Sequence, residues 1–356
     1  MRHISASAAL LAAAIIGGTA LAPLTAQAAH AAGITQAAGT THASRTTHAS
    51  RTVTGSPAAR AAWIPSCAGK NGDTRACGHW RLLMADGRTV TVRDAAVHRT
   101  DAKGRPVGDE GRFAISGDGR VIAYERARDH RVVVRAAAGG PVTRLPRSLV
   151  PKGIGTGDLT LTLSPAGDRL LVSYDDDPAR RPTKVVTIAT GKVTELPAAE
   201  DPDGFSADGD EVLAHRLSGD NTTALVAHRL GGGSTRRTPP QVVANATTLA
   251  LAADGRTVAV LIDGDADLKR PPRLRIYDLD SGELHDTVKL ALKPSASPYL
   301  ARWTADGRLV LTTTTDDPGR PAVVRVLTAD PDTGEVRQND RYTLGKDRYA
   351  FYVAGE

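Results

Sequence analysis

Three absences from this 356-residue sequence narrow its chemistry at the outset. It contains no Gly-x-Ser-x-Gly run, so the strand-to-helix turn that presents a serine nucleophile in α/β-hydrolases is missing. Aromatic residues are only 4% of the chain, which argues against a sugar-stacking cleft; the many aspartates still leave a paired-carboxylate glycosidase open by composition. No stretch after the N-terminal apolar run is long and apolar enough to cross a bilayer, so no membrane span is expected. Acidic residues are absent from positions 1–62, which hold Arg2, Arg45, Arg51 and Arg60. Of the net +6, the remainder therefore carries 41 basic against 39 acidic residues, or +2. Nucleic-acid binding would need a basic stripe on the folded part, and none is expected.

What is present at the N-terminus points to export. Arg2 and His3 precede an apolar run from Ala8 to Ile16, then Gly17-Gly18, Pro23 and the small-residue site Ala26-Gln27-Ala28. That order predicts a secretory signal peptide over residues 1–28. No cysteine follows the run, so no lipid anchor is expected. Residues 29–62 read as a disordered Ala/Thr/Ser-rich tether, with Thr40-Thr41-His42-Ala43-Ser44-Arg45 repeated at once as residues 46–51. His42 and His48 could catch a metal and the hydroxyls could carry sugars, but a spacer is the plainer reading. Cys67 and Cys77 are the only cysteines, and in an exported chain they predict one disulfide. Arginine outnumbers lysine 36 to 9, a usage that resembles GC-rich actinobacteria.

From Trp63 to the end one pattern recurs: strand, Gly turn, strand, polar loop, strand, Gly turn, strand. Phe113-Ala114-Ile115-Ser116-Gly117-Asp118-Gly119-Arg120-Val121-Ile122-Ala123-Tyr124 shows its first half. Glycine after aspartate accepts the positive φ of a tight hairpin. First-half glycines at 119, 167, 209, 255 and 307 are 48, 42, 46 and 52 residues apart. Four-stranded repeats with periods in the forties predict an all-β fold, a β-propeller. Gly87 lies only 32 residues before Gly119, too near for a whole blade. It fits as the second-half turn of an incomplete blade, with 79–84 its third strand and 88–93 its fourth. The missing inner strand is expected from 348–353, which would close the ring and remove its open sheet edges. Five whole blades and this composite make six; seven is the alternative if 94–112, read as loop, hides strands. The propeller domain is thus expected over 63–356, with Trp63, Trp80 and Trp303 packing between blades and the disulfide pinning the closure.

Ile115 to Tyr124, with Gly139-Gly140 and Leu145-Pro146 after it, resembles the TolB-type propeller repeat. Tyr277-Asp278-Leu279-Asp280-Ser281-Gly282-Glu283 is similar to quinoprotein-like and YVTN-type blades. The resemblance covers most of 77–353 and rests on turn and core positions. The Trp-Asp dipeptide of WD repeats is absent. TolB-type proteins are periplasmic or exported and mostly bind other proteins, so the resemblance implies a protein partner.

Propeller topology sends every second-to-third-strand loop to one end of the disc. These loops are 126–130, 175–181, 218–222, 263–270 and 316–320, and each carries aspartate: Asp129; Asp175, Asp176 and Asp177; Asp220; Asp263, Asp265 and Asp267; Asp316 and Asp317. Loops on a rigid scaffold usually carry binding residues, so this is the candidate binding face, with solvated turns as the bland alternative. Asp263-Gly264-Asp265-Ala266-Asp267 imitates the start of a calcium loop but has Leu268 and Leu274 where glycine and glutamate belong. His215 and His228 flank one loop and could be cross-strand neighbours, yet a metal site there needs a further ligand. No cofactor or metal is expected. The chain also has no room for the second domain that a propeller-lidded serine peptidase requires. The sequence thus favours an exported, monomeric, non-enzymatic protein-binding or scaffolding propeller; a small hydrolase or lyase is the alternative. An enzyme should show a cleft at the channel mouth with convergent groups of perturbed pKa, and a scaffold a broad polar face.

Overall fold

The computed structural model describes residues 57–69, 73–175, 181–219, 222–317 and 319–356. Residues 1–56, where the sequence predicts a signal peptide and most of a tether and which include His42 and His48, lie outside the described residues. Six antiparallel sheets form a six-bladed β-propeller. Blade 1 joins the chain ends: Arg348–Val353 is innermost, followed outward by Ala59–Ala68, Trp80–Met84 and Thr89–Val92. Blade 2 comprises Phe113–Ile115, Val121–Glu125, Val132–Ala136 and Thr143–Arg144, and blade 3 Leu159–Leu163, Arg169–Tyr174, Lys184–Thr187 and Lys192–Glu195. Blade 4 comprises Asp201–Phe205, Glu211–Leu217, Thr223–Arg229 and Ser234–Arg237. Blade 5 is Thr248–Leu251, Thr257–Ile262, Arg273–Asp278 and Val288–Lys289; blade 6 is Leu300–Trp303, Leu309–Thr315, Ala322–Ala329 and Val336–Leu344.

The composite blade closes as the 32-residue gap requires. Ala61 pairs with Val353, Ala62 with Tyr352, Trp63 with Phe351 and Ile64 with Ala350. The strand begins at Ala59, so residues 59–62 belong to the sheet and not to the tether. Ala59, Ala61 and Ala62 are buried, and their small side chains let adjacent blades approach. Cys67 and Cys77 form the expected disulfide across the loop between this strand and the next.

Segment 94–112, read above as loop, contains a two-stranded hairpin, His98–Thr100 with Pro106–Glu110. It does not make a seventh blade. Its strands are short and polar and lack the alternation by which a buried strand is recognised. The hairpin is fastened to its surroundings: Tyr352 donates to Glu110 Oε1 at 2.9 Å and Thr100 N–H to Thr156 Oγ1 at 2.8 Å.

Hairpin turns between first and second strands share a side-chain lock. Ser116 Oγ donates to Asp118 Oδ1 at 2.6 Å and accepts the Val121 N–H at 3.0 Å. Ser164 with Asp168, Ser206 with Asp208 and Thr304 with Asp306 repeat the first bond. Blades pack through buried apolar faces and two tryptophans. Trp80 stacks on Phe113 of blade 2 at 4.7 Å and donates its indole N–H to Ala96 O at 2.9 Å. Trp303 of blade 6 donates to Ala250 O of blade 5 at 3.1 Å. Trp63 is partly buried against the cluster that joins blades 1 and 6.

Candidate functional site

Because every innermost strand lines the axis, irregularities in those strands decide what the channel presents. One is in blade 4, where the register shifts between Pro202 and Gly204 and leaves Asp203 as an extra, bulged residue. Gly204, at φ 143°, supplies the backbone freedom for the bulge. The bulge brings the Asp203 carboxylate to His215 on the neighbouring strand, with Nδ1 3.3 Å from Oδ1. Asp201 Oδ2 lies 3.8 Å from the other ring nitrogen. The hydrogen bond to Asp203 raises the His215 pKa above its ordinary value, against the opposing effect of burial. Burial in turn pushes the Asp203 carboxyl up, and His215 offsets part of that.

Asp203 and Thr247 border an axial cavity of about 230 Å³, together with Tyr299, Arg302 and Glu356. Leu163, Phe205, Leu249 and Leu251 supply its apolar walls. Burial pushes the Glu356 carboxyl up to about 7, although the Val353 N–H, 2.9 Å away, favours its ionised form. Burial also lowers the Arg302 pKa, with Asp118 opposing. The cavity thus holds cationic and anionic groups on an apolar frame, and can take a polar group of either sign with a short hydrocarbon stem.

The loop aspartates singled out above mostly serve the loops themselves. Arg126 Nε donates to Asp129 Oδ1 at 2.9 Å, and Arg348, only 6% exposed, pairs with Asp316. Asp175 accepts from Arg112 at 3.2 Å and from Thr160 at 3.1 Å. Asp265 Oδ1 accepts the Leu268 N–H at 2.8 Å and closes a turn, while Asp263 accepts from Thr247 at 3.3 Å. Asp267 has no side-chain partner among the described residues, and Asp317 lines a shallow groove with Lys346 and Tyr349. Asp176, Asp177 and Asp220 lie outside the described residues. Among the described loop aspartates, Asp263 alone bonds to a residue of the channel lining, Thr247.

His215 and His228 are not cross-strand neighbours. His215 pairs with Leu225 and His228 with Val212, because the strands are longer than the loop between them suggests. Each imidazole meets its own carboxylate instead, His228 bonding to the buried Glu200. Among the described residues no group of three or more His, Cys, Asp or Glu side chains is placed to hold a metal ion. Sequence reading missed Asp203, Glu356, Arg302 and Tyr299. Pro202 and Gly204 around Asp203 were the signal, since both residues mark bulges in strands.

The fold and its channel define a six-bladed propeller with an ionisable, partly apolar axial cavity. No family model matches the chain, and no curated protein matches it. Solved structures similar to it include TolB from Acinetobacter baumannii, 16% identical over 78% of this chain and 65% of that one, with a TM-score of 0.42. An oligogalacturonate lyase in complex with manganese is 17% identical over 80% of this chain and 74% of that one, TM-score 0.40. The acylaminoacyl peptidase of Pyrococcus horikoshii is 15% identical over 78% of this chain and 43% of that one, TM-score 0.41. At these identities the likeness concerns the fold alone. Among the described residues, no helix is long and apolar enough to cross a membrane.

Proposed function

We propose that this chain is an exported, monomeric binding propeller that recognises a protein partner at the loop-face mouth of its channel. The Asp203–His215 pair carries the reading. An innermost strand gives up regular pairing at Asp203, which borders the axial cavity and meets the His215 imidazole of the next strand. The cavity, at about 230 Å³, is smaller than the roughly 300–1,000 Å³ typical of small-molecule sites. It suits one inserted side chain of a partner, with the surrounding loop face as rim. The mutual Arg–Asp pairs keep that rim preorganised, which lowers the entropic cost of docking. Export is supported by the disulfide, which persists in oxidising compartments, and by the N-terminal segment. Pull-down from envelope and culture fractions tests the proposal. The mature chain should retain a partner that Asp203→Asn and His215→Ala lose; equal capture by all three removes the channel from recognition.

One observation favours a second reading, a small hydrolase or lyase. The Glu356 carboxyl at about 7 is poised for proton transfer near neutrality in the same cavity. Turnover of a hydrolase and lyase substrate panel, abolished by Glu356→Gln, would support it; no turnover by the intact chain would remove it.

A further inference from the structure

The charge of the propeller is unevenly spread. Residues 119–153, in blade 2 and its connection to blade 3, hold eight basic residues, seven of them arginine, and two acidic ones. Their net +6 exceeds the +2 of the whole span 63–356, so the rest of that span carries −4. A balanced composition thus conceals one basic blade in an acidic ring, an asymmetry that steers anionic partners to a single edge.

Two recesses flank the loop 126–131 of this blade. One, of about 500 Å³, is lined by Arg126, Arg128 and Arg144 with Asp94 and Val142. The other, of about 430 Å³, is bordered by Arg131 and Arg147. Arg144 lies on the outermost strand, Arg147 in the turn that follows it and Lys152 further along the connection. The cations therefore run from the outer edge of the blade onto the loop face. Arg128, Arg144, Arg147 and Lys152 are exposed, and none has a hydrogen-bonded side-chain partner or an ion pair among the described residues.

The carboxylates nearby are engaged. Asp129 holds Arg126 at 2.9 Å, Asp101 accepts from Arg105 at 2.8 Å, and Asp94 accepts the Tyr124 hydroxyl at 2.8 Å. Glu125 is fully buried beside His130. The Arg126–Asp129 pair and the bond from Arg131 to Leu145 O fix the loop between the recesses, so the free cations stand on a rigid base.

The uncharged side chains of this stretch select among anions. None of its aromatic or large apolar side chains is exposed; the exposed ones among the described residues, Leu217, Val242, Leu268 and Tyr299, lie in blades 4 and 5 and their connections. Single-stranded nucleic acid is held by stacking its bases on aromatic rings, and a protein partner by an apolar interface core. A ring-free phosphate polymer needs cations alone. We propose that this edge of blade 2 docks a linear phosphodiester polymer without bases, of the poly(glycerol phosphate) kind. Each arginine fork takes two oxygens of one phosphate, and the four free cations follow successive phosphates of the flexible chain. The proposal rests on the proposed export of the chain and not on the channel, so loss of polymer binding and loss of the protein partner are separable results.

Fluorescence anisotropy of labelled poly(glycerol phosphate) with the full mature chain tests the assignment. Binding should saturate, and log affinity should fall with log salt at a slope of about −3, from about −0.7 for each of four contacts. Arg128→Gln combined with Arg144→Gln should bring the slope to about −1.4 and weaken binding about tenfold or more at low salt. Both positions are exposed, so the melting temperature should stay unchanged. Arg337→Gln with Arg341→Gln, exposed on the outer strand of blade 6, removes the same charge and should leave binding as it was. Single-stranded DNA of equal phosphate count should bind no more tightly than the polymer. Polyglutamate of equal charge should bind more weakly, because each carboxylate hangs on a side chain whose ordering costs entropy. Absence of saturable polymer binding to the intact chain overturns the proposal, as does equal weakening by the blade 6 variant. Tighter binding of DNA would give the surface to nucleic acid, and polyglutamate as tight as the polymer would give it to an acidic protein; either result also overturns it.

Discussion

Removing the Cys67–Cys77 bond should loosen the ring where it closes. The bond spans a sequence separation of 10 and links the strand that pairs with Arg348–Val353 to the segment leading into Trp80. In the chain-entropy treatment, opening a loop of that size costs about 2.7 kcal/mol at 25 °C. A domain of roughly 300 residues unfolds with an entropy of about 0.6 kcal/mol/K, so the melting temperature should fall by about 4 °C. The Cys67→Ser, Cys77→Ser double variant and the reduced native chain should give the same shift by calorimetry. Hydrogen exchange should locate the loss: amides at 61–65 and 348–353 should exchange faster, while those of blade 4 hold. An unchanged melting temperature, or a uniform rise in exchange around the ring, would refute the role given to the bond.

The site's electrostatics make two further predictions. The His215 imidazole should titrate above its ordinary range by NMR and return toward it in Asp203→Asn. A histidine with a raised folded pKa contributes stability below its unfolded value and loses it as pH rises through the folded value, so Asp203→Asn should remove that part of the pH dependence. Glu356 has the opposite sign for an acid: its folded pKa is raised, so stability should fall by up to about 3 kcal/mol between the unfolded value of 4.5 and about 7. Glu356→Gln should flatten that decline, as read from denaturant midpoints across pH. Trp303→Phe should cost about 1–3 kcal/mol by stranding the buried Ala250 carbonyl, measured by the same melts. Gly119→Ala should destabilise by at least about 2 kcal/mol, because φ is +74° and a Cβ would sit 2.3 Å from Ala59 O; native-like melting would contradict that packing.

Blade number and ring closure were legible because both are written in glycine. Gly87 and Gly119 stand too close for a whole repeat, and the alternating run at 348–353 had no other partner. The hairpin at 98–110 was not legible. Its strands carry Arg, Asp and Gly rather than alternating apolar residues, and it is held by tertiary bonds from Tyr352 and Thr156. The channel chemistry was hidden for a related reason. Asp203 lies between Pro202 and Gly204, so it reads as inter-blade loop, and only the register with Ala214 and Leu213 reveals the bulge. The loop aspartates were conspicuous in sequence, but arginines distant along the chain, such as Arg112 for Asp175 and Arg348 for Asp316, absorb their charge. Composition counts carboxylates without showing which are already paired.

Recognition at the loop-face mouth is tested most directly by site-specific photo-crosslinking of the mature chain in envelope and culture fractions. Probes at Thr247 and Tyr299, on the channel rim, should trap one partner, and a probe at the exposed Thr190 in the opposite-face turn should not. Crosslinks from Thr190 alone, or from all three positions equally, would contradict the assignment of the binding face.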